Sequence, residues 1–329
     1  MIVTELNYHS NNLDEYKNMH GKISLGLCCI NTELRAKKPP VFNSRTCIRK
    51  NYTVEKAKVL ALKNINDLIP MIEYNEEHGI KCFRLSSDIL PHFTDPEVES
   101  YDLDFALEGL KAAGELAKSY DQRILMHPGQ YNQVGAHNEE VFSKTCLELK
   151  MHADILDAMG IDSNGVLIVH GGGTYGDIEK TKARWVEQYF QLPENVQKRL
   201  VIENCEKCYS LEDVLDISGR VKERGGDLPV VFDSHHYECY DLLHPDTKQQ
   251  DLKILLPKVI ASWGDRRVVM HVSNQGSGKI GHHSDYISRL PECFFYVAGE
   301  LDVCFDLEVE AKMKEQAIFN LYHQYPELF

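Results

Sequence analysis

Six successive apolar runs of the chain end in side chains able to bind a cation or carry a proton. The endings are His127, His170, Glu203, the group Asp233-Ser234-His235-His236, His271, and the pair Glu308 and Glu310. One histidine in such a place is usually a satisfied core residue, but six consecutive endings of this kind point to a shared site. Imidazoles mixed with carboxylates, without a convincing thiolate, suit manganese, zinc, iron or cobalt better than calcium, magnesium alone or an iron–sulfur cluster. So many donors exceed what one ion uses and predict two or three. Neighbouring ions suit phosphate esters because they stabilise both the attacking and the leaving oxygen. Metal-assisted hydrolysis is therefore the reaction class these residues imply.

Competing constellations are weaker. Gly171-Gly172-Gly173 follows a strand-like run but lacks the phosphate-loop spacing and its Lys-Ser/Thr pair, so a tight turn explains it better. Ser86 and Ser87 lie outside any G-x-S-x-G elbow. Glu203 and Glu310 as a glycosidase pair would leave the histidines without a task. Cys205 and Cys208 form a CxxC with no second pair at zinc-ribbon spacing, and a structural role is favoured.

These endings need a scaffold that gathers them. Short strand-like runs recur at 23–30, 81–87, 123–129, 165–172, 200–205, 228–236, 267–274 and 301–310. Amphipathic helical segments lie between them, including Thr53 to His78 before Gly79, Asp102 to Ser119, Glu139 to Met159 before Gly160, and Ser210 to Glu223 before Gly225. Thr53 is placed to cap the first of these. Continuously apolar strands alternating with helices imply a parallel sheet covered on both faces. Eight such units predict closure into a (β/α)8 TIM barrel, with an open doubly wound sheet second. In such a barrel the C-terminal ends of the strands face one mouth, which is where the chemistry is written. One domain over 1–329 is expected, with 1–22 as an N-terminal extension and 311–329 as a C-terminal helix.

Composition narrows the setting. A 43% hydrophobic and 26% charged chain of mean hydropathy -0.36 is ordinary for a soluble globular protein. No stretch is long and apolar enough to cross a bilayer, and the first residues lack signal-peptide order, so a cytoplasmic or nuclear location is expected rather than secretion. The 10 cysteines are scattered, several within strand-like runs such as Cys28, Cys29, Cys82 and Cys304, and read as reduced thiols. A net charge of -14 argues against a nonspecific polyanion binder. One stretch, Arg35 to Asn51, nevertheless carries six basic residues and no acidic one, and metal cations would offset acids around a site. A solvated basic loop accounts for that stretch equally well.

The wording at the strand ends resembles the UV damage endonuclease family, the UvdE-like branch of the metal-dependent barrels related to apurinic-site endonucleases and xylose isomerases. The resemblance runs over LGLCCINTELR (25–35), NSRT (43–46), FRLSSDILPH (83–92), MHPGQY (126–131), VHGGGTYGD (169–177), ENCEKCYS (203–210), VVFDSHH (230–236), MHVSNQ (270–275), GHHSDYI (281–287) and VEAKMKEQA (309–317). It implies incision of DNA immediately 5′ to cyclobutane pyrimidine dimers and 6-4 photoproducts. The implied cofactors are two or three divalent ions, manganese first, with zinc, cobalt or magnesium as substitutes, and no organic cofactor. The implied ligands are His127, His170, Glu203, Asp233, His236, His271, His283 and Glu310, with Glu203, His271 and Glu310 at the chemistry and Lys312 assisting phosphate charge. Strand alternation alone would favour His235 over His236 as the partner of Asp233; the motif favours His236. Gln130 and Tyr131 match the pair that similar enzymes use to probe the damaged strand, and Asn31 and Arg45 are expected on its backbone. The implied partner is UV-damaged double-stranded DNA, taken by a monomer away from membranes.

Three positions depart from the family pattern. Leu27 stands in place of a tyrosine that helps recognise the lesion. The strand-two histidine is displaced, leaving Asp95 or His92 as its stand-in. Val269 replaces a lysine two residues before His271. A modified lysine can bridge two cations and a valine cannot, so fewer than three tightly held ions are expected. Rival readings are an abasic-site or lesion-independent endonuclease, a sugar isomerase on the same barrel, and a non-catalytic damaged-DNA binding protein.

Overall fold

The structure, a computed structural model, describes residues 17–329. The expected extension over 1–22 therefore lies mostly outside the described residues. Eight strands pair in sequence order into a closed parallel barrel, β8 returning to β1. They are β1 Ile23–Cys28, β2 Cys82–Leu85, β3 Arg123–Met126, β4 Leu167–His170, β5 Leu200–Glu203, β6 Val230–Asp233, β7 Val268–Val272 and β8 Phe305–Val309. The expected (β/α)8 barrel is the observed fold, and the open sheet is not. Each strand is shorter than its apolar run; Pro128, the Gly171–Gly173 turn and the capping carboxylate of Asp233 mark the early ends of β3, β4 and β6.

The helices between strands are α1 Thr32–Ala36, α2 Val54–Asn66, α3 Leu68–Glu77, α4 Leu107–Ser119, α5 Glu139–Ala158, α6 Ile178–Tyr189, α7 Glu194–Gln197, α8 Leu211–Glu223, α9 Ser234–Leu243, α10 Leu252–Ser262, α11 Glu292–Phe295 and α12 Glu315–Gln324. The single helix predicted over 53–78 is two. Pro70 lacks an N–H and its ring crowds the carbonyl four residues back, at Asn66, where α2 stops. Asp67, at the break, instead accepts from the Phe42 N–H at 3.0 Å and from Arg45 at 2.6 Å. Thr53 caps α2 by accepting from the Lys56 N–H, and Ser210 and Asp213 form a reciprocal capping box on α8. The C-terminal helix is confined to α12, within the expected 311–329.

Apolar side chains on the outer face of each strand meet the helices. Trp263 at the end of α10 is buried and donates its indole N–H to the Val230 carbonyl at 2.8 Å. Truncating a buried tryptophan of this kind costs about 3–5 kcal/mol. Gly114 of α4 is required by close approach, since a Cβ there would lie 1.9 Å from the Met159 carbonyl oxygen. No described helix is long and apolar enough to cross a membrane.

The inner face is ionic in layers. At the floor, Asp306 accepts from Arg123 at 2.9 Å and pairs with Arg267 at 2.7 Å, and Arg267 also donates to Ser24 at 2.7 Å. One layer up, Glu308 lies 2.9 Å from His271 and 3.5 Å from Arg84. Above these lies the mouth.

Candidate metal centre at the barrel mouth

Glu203 ends β5 and is 0% exposed, with imidazoles on both of its oxygens. His127 lies 3.0 Å and His170 3.7 Å from Oε2, while His271 lies 3.0 Å and His236 3.3 Å from Oε1. Burial alone would push this carboxyl upward in pKa. The charges on His271 and His170, with hydrogen bonds from His127 and His236, outweigh it and hold the group well below the usual carboxylate range. His271 shows the converse: burial pulls it down, yet Glu203 and Glu310 raise it well above an ordinary histidine.

Asp233 decides which neighbouring histidine enters. Its Oδ1 accepts from the His236 N–H at 2.7 Å and so caps α9, which begins directly after β6. That turn swings His236 into the mouth, where its Nδ1 lies 3.0 Å from the Asn204 carbonyl, while His235 packs 3.6 Å from the Cys239 sulfur. The extended alternation that would have favoured His235 has ended one residue earlier. Asp233 Oδ2 is buried without a hydrogen-bond partner among the described residues. It lies 3.8 Å from His236 Nδ1 and 4.0 Å from His271 Nδ1.

Glu310 follows β8. Its Oε1 accepts from Arg84 at 2.5 Å and lies 3.7 Å from His271, and its Oε2 lies 3.7 Å from His283, on the loop after β7. Three overlapping triads bring ligand atoms within 4.8 Å of one another: His127, His271 and Glu310; His127, His170 and Glu203; and Glu203, Asp233 and His236. Nitrogen and carboxylate donors fit divalent transition ions. The orphaned oxygen of Asp233 is the kind of atom a cation satisfies. The triads open into a cavity of about 350 Å³ whose lining includes Arg84, His127, Gln130, His170, Glu206 and His283.

The loop after β3 carries the expected probing pair. Gln130 is exposed at the lip. Tyr131 is 64% exposed, its hydroxyl donates to Glu148 at 3.1 Å, and its ring folds so closely over Gly129 that a Cβ there would meet it at 2.4 Å.

Other expected site residues are placed elsewhere. Asn31 is 0% exposed and caps α1 by accepting from the Leu34 N–H at 2.8 Å, which closes it to a DNA strand. Arg45 is held by Asp67 at 2.6 Å and the Pro40 carbonyl at 2.7 Å, with its guanidinium 4.0 Å from the Phe42 ring centroid. Lys312 is exposed and absent from the cavity lining. His92 lies 3.0 Å from Asp95 and 2.6 Å from the Cys47 carbonyl, and Asp95 pairs with Arg49 at 2.7 Å, so neither completes a triad. Leu27 is 1% exposed on the outer face of β1, away from the mouth. Val269 is fully buried one step below His271, in register with Asp306.

Arg84, which occupies the mouth at β2, was given no role from sequence. Its place in Cys82–Leu85 fixes it inward, on the same face as Cys82. Glu308, a strand ending without an assigned partner, is the support of His271. Glu206, three residues beyond Glu203, also lines the cavity and lies 4.0 Å from His236.

The profile of the UV-endonuclease UvdE family matches residues 23–328. A protein of Acanthamoeba polyphaga mimivirus with the provisional name UV-damage endonuclease is 37% identical over 313 residues, covering 92% of this chain and 91% of that one. The UV-damage endonuclease of Schizosaccharomyces pombe is 35% identical over 320 residues, covering 92% of this chain but 50% of its own length. The crystal structure of SacUVDE superposes with a TM-score of 0.78 at 29% identity, covering 93% of this chain and 100% of that one. Endonuclease IV from Thermus thermophilus, at 16% identity and a TM-score of 0.54 with 93% of this chain and 99% of that one covered, shares the fold. By fold and over nearly its whole length, this chain belongs to the UV-endonuclease UvdE family of DNA endonucleases.

Proposed function

We propose that the protein incises double-stranded DNA immediately 5′ to UV lesions, cyclobutane pyrimidine dimers and 6-4 photoproducts, using divalent ions held at the barrel mouth. The observation that carries this reading is Glu203, a fully buried carboxylate faced by four imidazoles, within three overlapping ligand triads. In this reading Glu203, Asp233 and His236 would hold one ion, His127 and His170 with Glu203 a second, and His271 and Glu310 with His127, beside His283, a third position. Divalent ions bound there would supply Lewis acidity, an activated water and charge for the phosphate. Manganese suits the mixed imidazole and carboxylate set, and zinc, cobalt or magnesium would be substitutes.

The chain's own residues do the rest. Arg84 pairs with Glu310 and Glu308 at the mouth and, against their burial, favours their ionised forms. Gln130 and Tyr131 sit three and four residues beyond His127 on one loop, so whatever they hold is brought beside the metal ligands. An amide for base edges and an exposed ring for stacking are what a strand with its lesion turned out requires. The ten cysteines, none of them bridged, suit a reducing compartment, cytosol or nucleus, and the enzyme is read as a monomer.

The test is incision of an end-labelled duplex with one thymine dimer, beside duplexes that are undamaged or carry one abasic site. Cutting is expected at the phosphodiester directly 5′ of the dimer, abolished by chelator and restored by manganese. Undiminished cutting in excess chelator would sink the metal mechanism, and a preference for the abasic duplex would favour the rival endonuclease. Metal analysis of the desalted protein should find fewer than three tightly bound ions, because Val269 offers no donor beneath His271.

A further inference from the structure

The loop after β4 ties down the Tyr175 hydroxyl but leaves much of its ring facing solvent. The loop is pinned from below and from the side. A Cβ on Gly171 would lie 2.5 Å from the Tyr209 ring, and the Tyr209 hydroxyl donates to the Gly173 carbonyl at 3.3 Å. Gln133, on the loop that carries Gln130 and Tyr131, accepts from the Gly173 N–H at 3.3 Å and from the Tyr175 hydroxyl. The loops after β3 and β4 are thus one joined rim.

On that rim Tyr175 has φ 50°, between Thr174 and a glycine that is itself left-handed at φ 79°. Bulky residues seldom adopt this conformation, and glycine or asparagine would take it at lower cost. Burial does not offset the strain, since Tyr175 is 47% exposed. A strained, exposed and rigidly held aromatic is a feature kept for something outside the fold. Arg184 supplies a second, independent observation. Its guanidinium carbon lies 5.3 Å from the Tyr175 ring centroid, and it donates to the Gly135 carbonyl at 2.9 Å and to Thr181 Oγ1 at 3.1 Å. Both acceptors are neutral, and no carboxylate pairs with Arg184 among the described residues. A half-buried, uncompensated cation beside a flat ring is suited to a phosphate next to a base or sugar.

We propose that Tyr175 and Arg184 form a second nucleic-acid contact on the rim, with the ring packing against a base or sugar and the guanidinium taking the adjoining phosphate. This rests on the reading of the mouth as a DNA site and extends it. The Tyr175 hydroxyl is engaged by Gln133, so the ring offers only its apolar surface, and the contact serves damaged and undamaged strands alike. It thereby differs in task from Tyr131.

The test compares Tyr175→Gly and Tyr175→Phe with the parent holoenzyme, reading affinity for a labelled undamaged duplex, KM and kcat on the dimer-containing duplex, and Tm. Tyr175→Gly relieves the left-handed backbone but also removes the ring with its Gln133 and Arg184 contacts, so a purely structural role predicts a lower Tm with DNA binding by the folded protein unchanged. We expect about tenfold weaker binding and a KM raised by a similar factor, since one stacking contact is of that size. Tyr175→Phe should stay within about twofold of the parent, because the ring remains. Arg184→Gln should also weaken binding and flatten its salt dependence. Parent-like binding by Tyr175→Gly overturns the assignment, as does an equal loss in Tyr175→Phe, which would trace the effect to the Gln133 tie. A parent that binds neither duplex overturns the functional reading itself.

Discussion

The two sides of the barrel mouth are built on different terms. On the side formed by β3 to β7, strand ends and the first turn of α9 place imidazoles on both oxygens of Glu203, and each acid there faces donors that a cation can share. On the side formed by β1 and β2, a guanidinium takes that role. Arg84 pairs with Glu310 and Glu308, while His92, Asp95, Arg45 and Asn31 turn into loop and cap contacts. The difference lies in where each residue sits relative to its strand. His170, Glu203, Asp233 and His271 lie within their strands, and His127 and Glu310 one residue beyond, so barrel geometry aims them. His92 and Asp95 lie well past Leu85 in a long excursion, and local partners claim them first. His236 and His283 show that a loop residue can join when a turn returns it, through the Asp233 cap or the bridge between Gln275 and His283.

Three substitutions probe that contrast. The largest effect belongs to Glu203→Gln, which removes the charge on which four imidazoles converge. Incision should fall by more than about a hundredfold, the upper end for loss of a merely supporting residue, and metal content should fall with it. Full activity with parent-like metal content would show that Glu203 is not a ligand. Tyr131→Ala should be intermediate: stacking on a base contributes about 1–3 kcal/mol, so preference for damaged over undamaged duplex should shrink while metal content stays. An unchanged affinity ratio would refute the probing role.

The smallest effect is expected on the other side of the mouth. Hydrogen bonding from Arg49, with help from His92, outweighs burial and lowers Asp95 to about 2. A carboxyl with a depressed folded-state pKa stabilises the fold above its unfolded pKa, and that contribution is lost as pH falls through the folded value. Asp95→Asn should therefore lower Tm by no more than about 3 °C at neutral pH, and the gap should close as pH approaches 2. Metal content should be unaffected. Metal loss in Asp95→Asn would restore a ligand at β2 and erase the contrast between the two sides.

Much of this was legible in the sequence for a physical reason. Doubly buried strands read as apolar runs, and a polar residue ending such a run has few places to go except the mouth. That logic reached His127, His170, Glu203, Asp233, His271 and Glu310. By alternation it favoured His235 over His236, whereas the outcome depends on a carboxylate cap that ends β6. It missed Arg84, since a lone arginine in an apolar run has no counterion until β8 is folded beside it. The resemblance placed Asn31 and Arg45 on DNA, and the helix cap made by Asn31 and the Asp67 and Phe42 contacts of Arg45 become visible only in the fold. The break between α2 and α3 was signalled by Pro70 and overlooked within a longer periodic pattern.

The barrel floor carries a consequence for how such a chain can change over generations. Asp306 is fully buried between Arg123 and Arg267, with Val269 in register beside it. Removing one member of a buried ion pair costs about 3–5 kcal/mol, whereas exchanging a whole set for packed apolar groups is often neutral. The three charges can therefore drift only as a group, because each intermediate with one member missing is less stable than either endpoint. Directly above, Arg84 and His271 compensate Glu308 and Glu310 only in part, and in the proposed function cations from the medium would supply the rest. If the mouth holds cations as proposed, mutational tolerance should change within one step of side-chain alternation along β8, from positions that must be exchanged together to positions whose loss the surrounding metal concentration would partly mask.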